Sequence, residues 1–130
     1  MKIGIISDTH LAGRGKNLPP SVFSVFSEVE LILHCEDLEC IGVLDTLELI
    51  APVKAIRGYE DPREPGCRLV NKTRVITVQN TISDVIKIGI VHDIQWPYSP
   101  IYTSLNGDEL NFSDSDISLL VKMFLEVLSI

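Results

Sequence analysis

Metal-ligating side chains follow four short apolar runs in this sequence. Asp8 and His10 come directly after the first run, and Asp37 follows the second. Glu60 follows the third run, and His92 follows the fourth. Because ligand sites in an open α/β sheet form outside the carboxyl ends of parallel strands, these side chains are expected to meet at one sheet edge. Carboxylate and imidazole ligands suit Mn, Fe, Zn or Co, and two such ions can clamp a phosphoryl group.

The first half of the chain has the pattern of alternating strands and helices. Apolar, β-branched runs predict buried strands at residues 2–7, 30–34 and 53–57. Pro20 suits the first turn of a helix between the first two strands, and Pro52 ends a second helix before the third. Short connections of this kind predict right-handed crossovers between parallel strands.

The second half predicts a hairpin and a last helix. Residues 74–79 and 84–91 alternate between apolar and polar and are separated by a short turn. Ser113 or Asp114 can cap a helix that is apolar nearly all round and extends through Leu128. The order β-α-β-α-β, then hairpin and helix, predicts an α/β fold with a layered β-sheet core flanked by helices. We expect one domain over residues 1–130.

Composition narrows the functional classes. The chain has 18 acidic and 11 basic residues and a net charge of −7, and the basic residues are scattered, which argues against a nucleic-acid-binding groove. Three cysteines are too few for a disulfide framework and favour a reducing cytoplasm. No apolar run approaches the roughly 20 residues of a membrane helix, so we expect no membrane partner.

Four segments together carry a family resemblance. They are IISDTH at residues 5–10, ILHCED at 32–37, VKAIRGYED at 53–61 and IVHD at 90–93. In order and spacing, the chain resembles the calcineurin-like metallophosphoesterases over roughly residues 1–96, in particular their small YfcE-like phosphodiesterase branch. The resemblance implies packed β-sheets flanked by helices and a two-metal site that hydrolyses phosphate esters with a metal-activated water.

The resemblance also assigns roles to individual residues. It implies that Asp8 and His10 hold a first metal, that Asp37 bridges two metals and that His92 holds the second. Asp37 and His92 are therefore the predicted catalytic pair. Glu60 stands next to the position of a family Asn and is a candidate replacement ligand, or a proton donor if its pKa is raised.

The sequence departs from the family pattern at several of these positions. Glu36 and Asp93 each stand where the family has Gly, and Tyr59 stands where it has a metal-ligating Asn. The family's later Gly-His-x-His is not present in this sequence, whose only histidines are His10, His34 and His92. With these departures, the C-terminal strands of the family sandwich are expected to be missing.

These departures lead to a hypothesis of a reduced metal site. Asp8, His10 and Asp37 are expected to hold one divalent ion, with His92 as a further ligand and Glu60 or Asp61 in place of the Asn. A second ion stays an open alternative. Oxygen-rich ligation favours Mn or Mg over Zn.

Three functions remain open from the sequence. The first is a divergent metal-dependent phosphoesterase with weak phosphodiesterase activity on a small phosphate ester. The second is an inactive scaffold or interaction protein that has kept the fold, as in the retromer subunit that resembles this family. The third is a truncated remnant of a longer gene. A homo-oligomer is expected because the apolar last helix would otherwise stay exposed.

Some residues beside the predicted site have two interpretations. His34 is predicted to be a hydrogen-bonded structural residue rather than a ligand. Glu36, Glu39 and Asp93 are either part of the site or solvated loop charges.

Overall fold

The computed structural model describes residues 1–11, 17–63, 68–69, 73–79, 85–91, 102–103, 109–110 and 126–129. In chain order, the elements are β1 (Lys2–Ile6), α1 (Pro20–Val25), β2 (Leu31–His34), α2 (Gly42–Glu48), β3 (Val53–Ala55), β4 (Thr73–Gln79), β5 (Val85–Val91), β6 (Tyr102–Thr103), β7 (Glu109–Leu110) and β8 (Glu126–Ser129). The predicted β-α-β-α-β order and the hairpin are confirmed, with strand ends shifted by one or two residues.

A four-stranded sheet forms the centre of the fold, in the order β3-β2-β1-β8. β1, β2 and β3 run parallel, so their carboxyl ends lie at the same edge of the sheet. β8 runs antiparallel to β1. This arrangement places the segments that follow β1, β2 and β3 side by side, as the sequence pattern predicts.

The two inner strands of the central sheet, β1 and β2, are buried on both faces. Ile3 and Ile5 pack in one apolar cluster with side chains of the β4–β5 hairpin. Ile6 and Ile32 belong to a second cluster on the opposite face, which also contains side chains of both helices. β1 and β2 are therefore continuous apolar runs, because alternate residues serve two different cores.

The hairpin covers one face of the sheet. β4 and β5 pair over their full length, with Ile76 opposite Ile88 in the register. Ile76, Val78, Ile88 and Ile90 are buried against the sheet, whereas Val75 and Val85 point to solvent. The alternation from which the hairpin was predicted is thus the alternation between the core and the solvent.

The prediction of a helix that extends through Leu128 is wrong for its last three residues, which lie within residues 126–129. These residues form β8, which pairs with β1 from Lys2 opposite Ser129 to Ile5 opposite Glu126. The physical reason is the free edge of β1, whose unpaired N–H and C=O groups are satisfied by an added strand. The start of the predicted helix at Ser113 or Asp114 lies outside the described residues.

The structure also bears on membrane association. Within the described ranges, no helix is long and apolar enough to cross a membrane.

Gly4 has a close neighbour in the core, and this gives a first prediction. A Cβ atom at Gly4 would lie 2.9 Å from Cε1 of the fully buried Phe26, so Gly4→Ala must displace the ring. We expect a loss of about 1–3 kcal/mol in the free energy of unfolding, measured by urea denaturation. Gly42→Ala is the matched control. Its Cβ would meet only the Cys40 Sγ at 3.5 Å, and alanine suits the helix. Equal losses in both variants would contradict the packing argument.

Candidate metal centre

The segments that follow β1 and β2 continue to pair after the strands end. The amide of Asp8 donates to the carbonyl of Glu36 at 3.1 Å, and the amide of His10 donates to the carbonyl of Asp37 at 3.1 Å. A further bond of 3.1 Å joins the amide of Leu11 to the carbonyl of Leu38. These bonds hold the two loops in a fixed register, so the side chains of one loop lie beside those of the other.

Left-handed backbone conformations occur in both loops. Asp8 and His10 have φ of 51° and 42°, and Asp37 and Glu39 have φ of 47° and 61°. Each pair is separated by one residue. Such conformations are uncommon for residues with a side chain and are concentrated at functional sites.

Three potential ligands come together at this edge. One ligand atom from each of Asp8, His10 and Asp37 lies within 4.8 Å of the other two. The His10 Nε2 atom is 3.8 Å from the Asp8 Oδ1 atom. The other Asp8 oxygen, Oδ2, accepts a hydrogen bond of 2.6 Å from the Ser7 hydroxyl. Asp8 therefore has one oxygen engaged and one that faces the His10 ring.

The Asp37 carboxylate is the most constrained of the three. Its Oδ1 atom is buried and has no hydrogen-bond partner. The atom lies where Gly58 would carry a side chain, since a Cβ there would be 1.8 Å from it. A buried carboxylate oxygen without a partner is costly. A divalent cation would satisfy it, so the donor set of two carboxylates and one imidazole fits a metal ion.

Asp61 connects the loops behind this cluster. Its Oδ1 atom accepts hydrogen bonds from the amides of Leu38 (2.7 Å) and Glu39 (2.8 Å). Its Oδ2 atom accepts a third bond, of 2.7 Å, from the amide of Gly58. Asp61 is buried, so one charged side chain joins the loop after β2 to the loop after β3. Both of its oxygens are engaged in these bonds.

Glu39 contacts the His10 ring on the side away from Asp8. Its Oε1 atom lies 2.5 Å from the His10 Nδ1 atom. This hydrogen bond, together with the charges of Glu39, Asp37 and Asp8, raises the pKa of His10, although partial burial opposes the shift. The sequence left Glu39 open between a site residue and a solvated charge, and no signal in the sequence indicated this contact.

His34 supports the loop between the first two ligands. Its Nε2 atom is 3.1 Å from the Thr9 hydroxyl, and its Nδ1 atom is buried without a partner. Burial lowers the pKa of His34 to about 4. Its position in the core as a neutral, hydrogen-bonded imidazole agrees with the predicted structural role.

Among the described residues, Glu60 is not part of the group of three. Glu60 is exposed, and its role as a ligand stays a prediction. His92 lies outside the described residues, as does Asp93. Glu36 is buried rather than solvated. Burial also raises the pKa of the Cys35 thiol to about 12, so this cysteine is an unreactive part of the core.

A cleft opens beside Asp8. It has a volume of about 280 Å³, and its lining combines apolar side chains with hydroxyl groups. It is lined by Ile6, Ser7, Asp8, Thr9, Leu18, Pro19, Ser21 and Val22. A small organic group bound there would lie next to the carboxylate cluster.

The sequence matches the model of the calcineurin-like phosphoesterase superfamily domain over residues 1–109. The chain belongs to this superfamily. The match includes all the segments that carried the resemblance, and it covers β1 to β6 and the first residue of β7.

Two curated relatives of this phosphoesterase family member come from archaea. The chain is 42% identical over 98 residues to a probable metallophosphoesterase from Methanocaldococcus jannaschii. This match covers 75% of this chain and 46% of the relative. It is 36% identical over 97 residues to a probable metallophosphoesterase from Methanothermobacter thermautotrophicus. This second match covers 75% of this chain and 52% of the relative. The chain thus spans about half the length of these relatives.

Solved structures of the same fold include Vps29 proteins. Wild-type Vps29 from Entamoeba histolytica, complexed with Zn²⁺, matches with a TM-score of 0.55 and 26% identity over 73% of this chain and 49% of that one. Vps29 from Chaetomium thermophilum matches with a TM-score of 0.52 and 23% identity over 68% of this chain and 44% of that one. The predicted α/β fold of packed sheets and helices is therefore confirmed.

The three hydrogen bonds of Asp61 give a second prediction. In Asp61→Asn, at least one backbone amide faces an NH₂ group instead of an oxygen. We expect a loss of about 2–4 kcal/mol in the free energy of unfolding of the metal-free protein. Asp45→Asn is the control, because Asp45 forms an exposed ion pair with Arg68, and we expect a loss of less than about 1 kcal/mol. A loss in Asp61→Asn no larger than in the control would contradict the bracing role.

The buried His34 gives a third prediction, on pH dependence. The folded protein holds the His34 pKa near 4, below the ordinary value of 6.5, so the unfolded chain binds the proton more tightly. Stability from this residue is present above pH 6.5 and is lost as the pH falls toward 4. Between neutral pH and about pH 5, the metal-free protein should lose about 2 kcal/mol more than His34→Gln does.

The measurement is urea unfolding of both proteins at the two pH values with a chelator present. Glutamine can still bond to Thr9 but does not titrate, so the comparison removes the contribution of the other acidic and basic groups. An identical pH dependence in the two proteins would show that His34 is not held neutral.

Proposed function

We propose that this chain binds a divalent cation at Asp8, His10 and Asp37 and hydrolyses phosphodiesters with low efficiency. The observation that carries the proposal is the Asp37 carboxylate, which supplies one atom to a group of three ligands and whose Oδ1 atom is buried without a hydrogen-bond partner. Membership in the phosphoesterase superfamily supports the assignment of the group to a metal ion.

The chemistry of the ligands bears on which ion is bound. Two carboxylates and one imidazole form an oxygen-rich set, which favours Mn or Mg over Zn. The Zn²⁺ complex of the Entamoeba histolytica Vps29 supports a divalent ion in this fold. In this proposal, one ion is bound by the three described residues, and a second ion would take the predicted ligands His92 and Glu60.

The carboxylates and the cleft beside them have different proposed roles. Asp8 and Asp37 supply negative charge to a cation and hence bring a phosphate group to this sheet edge. The cleft beside Asp8 accepts an organic part of the ester. When bound, the divalent ion supplies charge stabilisation at the phosphoryl group and activates the attacking water. His92 remains a predicted catalytic residue.

The departures from the family pattern support low activity. Tyr59 occupies the position of a family Asn that binds metal, and its side chain is 52% exposed. A site with fewer ligands stabilises less of the charge that develops in the transition state. The assignment to the YfcE-like branch, with its phosphodiesterase specificity, is a separate part of the proposal. It rests on the four sequence segments alone.

A second candidate function is a non-catalytic scaffold. The exposed aromatic ring of Tyr59 at the edge of the site favours it, since tyrosines are frequent anchors in protein–protein interfaces. The cytoplasmic location and the homo-oligomer stay predictions.

The proposal predicts a metal-dependent hydrolysis that is lost in Asp37→Asn. The full chain is freed of metal with a chelator, titrated with Mn²⁺ by calorimetry and assayed with bis(p-nitrophenyl) phosphate. We expect Mn²⁺ binding and slow hydrolysis, and at least about a 100-fold lower rate for Asp37→Asn because Asn has no charge for the cation. Asp45→Asn, which changes an exposed residue of α2 in the same way, should keep both properties.

The outcomes separate the two candidate functions. Mn²⁺ binding that depends on Asp37, without hydrolysis, would support the scaffold. Absence of Mn²⁺ binding by the unmodified chain would contradict the proposed site.

A further inference from the structure

The two nitrogen atoms of the His10 ring face different partners. The Nδ1 atom is 2.5 Å from Glu39 Oε1, and the Nε2 atom is 3.8 Å from Asp8 Oδ1. The ring thus lies between Glu39 on one side and the cluster of Asp8 and Asp37 on the other. Only the Nε2 side is available to a metal ion, because the Nδ1 side is already engaged.

The contact with Glu39 determines which ring nitrogen carries the proton. A neutral imidazole has one N–H donor and one lone pair, and a carboxylate can only accept. The Nδ1–H group must therefore donate to Glu39, which leaves the lone pair on Nε2. Metal-bound histidines commonly donate their second N–H to a carboxylate, and such a contact fixes both the tautomer and the ring orientation.

Glu39 is itself held in place by the backbone. Its amide donates to the buried Asp61 Oδ1 atom at 2.8 Å, and its φ is 61°. A left-handed conformation is unusual for glutamate and persists only where the surroundings enforce it. The Glu39 side chain is 23% exposed, so its contact with His10 is partly shielded from water.

The geometry argues against Glu39 as a direct ligand. The ligand atoms of Asp8, His10 and Asp37 lie within 4.8 Å of one another, and Glu39 is not part of that group. It contacts the Nδ1 atom of His10, on the side of the ring away from Asp8. A contact of this kind adds electron density to the ring and orients it without occupying a position on the cation.

We propose that Glu39 is a positioning residue that holds His10 in the Nδ1–H tautomer with Nε2 directed at Asp8 and Asp37. The role in metal binding rests on the proposed function, whereas the tautomer is a property of the chain alone. Glu39 is a feature of this sequence that the four family segments do not include.

The first experiment reads the tautomer directly. Two-bond ¹H–¹⁵N correlation spectra of the metal-free full chain, recorded at the alkaline end of a pH titration that brings the ring to its neutral form, distinguish Nδ1–H from Nε2–H. Only three histidines are present, and the His10 signals are those lost in His10→Gln. We expect His10 as the Nδ1–H tautomer, with a shift toward Nε2–H in Glu39→Ala. An unchanged tautomer in Glu39→Ala would overturn the proposal.

The second experiment measures Mn²⁺ affinity by calorimetry. Glu39→Ala should weaken binding by about 10- to 100-fold, and Glu39→Gln by less, because the amide oxygen can still accept from Nδ1–H. Glu28→Gln is the charge-matched control, since Glu28 pairs with Lys2 at the start of β1, at the opposite edge of the sheet. Its affinity should equal that of the unmodified chain.

The results distinguish this inference from the proposed function. If Glu39→Gln weakened Mn²⁺ binding as much as Glu39→Ala, Glu39 would be a direct ligand and the positioning role would be wrong. If the unmodified chain bound no Mn²⁺, the proposed function would fail, and the tautomer spectra would still decide whether Glu39 positions His10.

Discussion

The Asp61 carboxylate is the interaction on which the rest of the site depends. Three backbone amides from two different loops converge on its two oxygens. A buried charge is stable only when its hydrogen-bonding capacity is satisfied, so Asp61 and the two loops fix one another. Through Gly58, the same contact brings the loop after β3 against Asp37. Without this brace, the loop that carries Asp37 would lose its connection to the loop after β3.

The sheet supplies the second constraint, because it delivers the loops to one edge. β1 and β2 are buried on both faces by two separate apolar clusters, so a shift in their register would expose both cores. The hydrogen bonds between the two loops then extend that register past the strands to Asp8 and His10. Apolar packing several residues away thus fixes the relative positions of the potential ligands.

The sequence predicts most of this arrangement, and it fails where long-range contacts decide. The strand ends that carry Asp8, His10 and Asp37 could be recognised from local pattern alone. The parallel order of the strands then brings these residues to one edge of the sheet. The pairing of Glu39 with His10 and the bracing by Asp61 depend on loop conformations that local residue types do not encode. Residues 126–129 show the same limit. Their local pattern is part of a predicted helix, but they form a strand because the edge of β1 is available for pairing.

The four left-handed residues have a consequence for how such a site changes over evolution. Glycine at any of these positions would relieve backbone strain of the order of 1 kcal/mol, so the stability of the fold alone favours the loss of Asp8, His10, Asp37 and Glu39. Under the proposed function, the binding of a cation would offset this backbone strain. In a related protein that does not use the site, substitution of these residues by glycine would increase the stability of the fold.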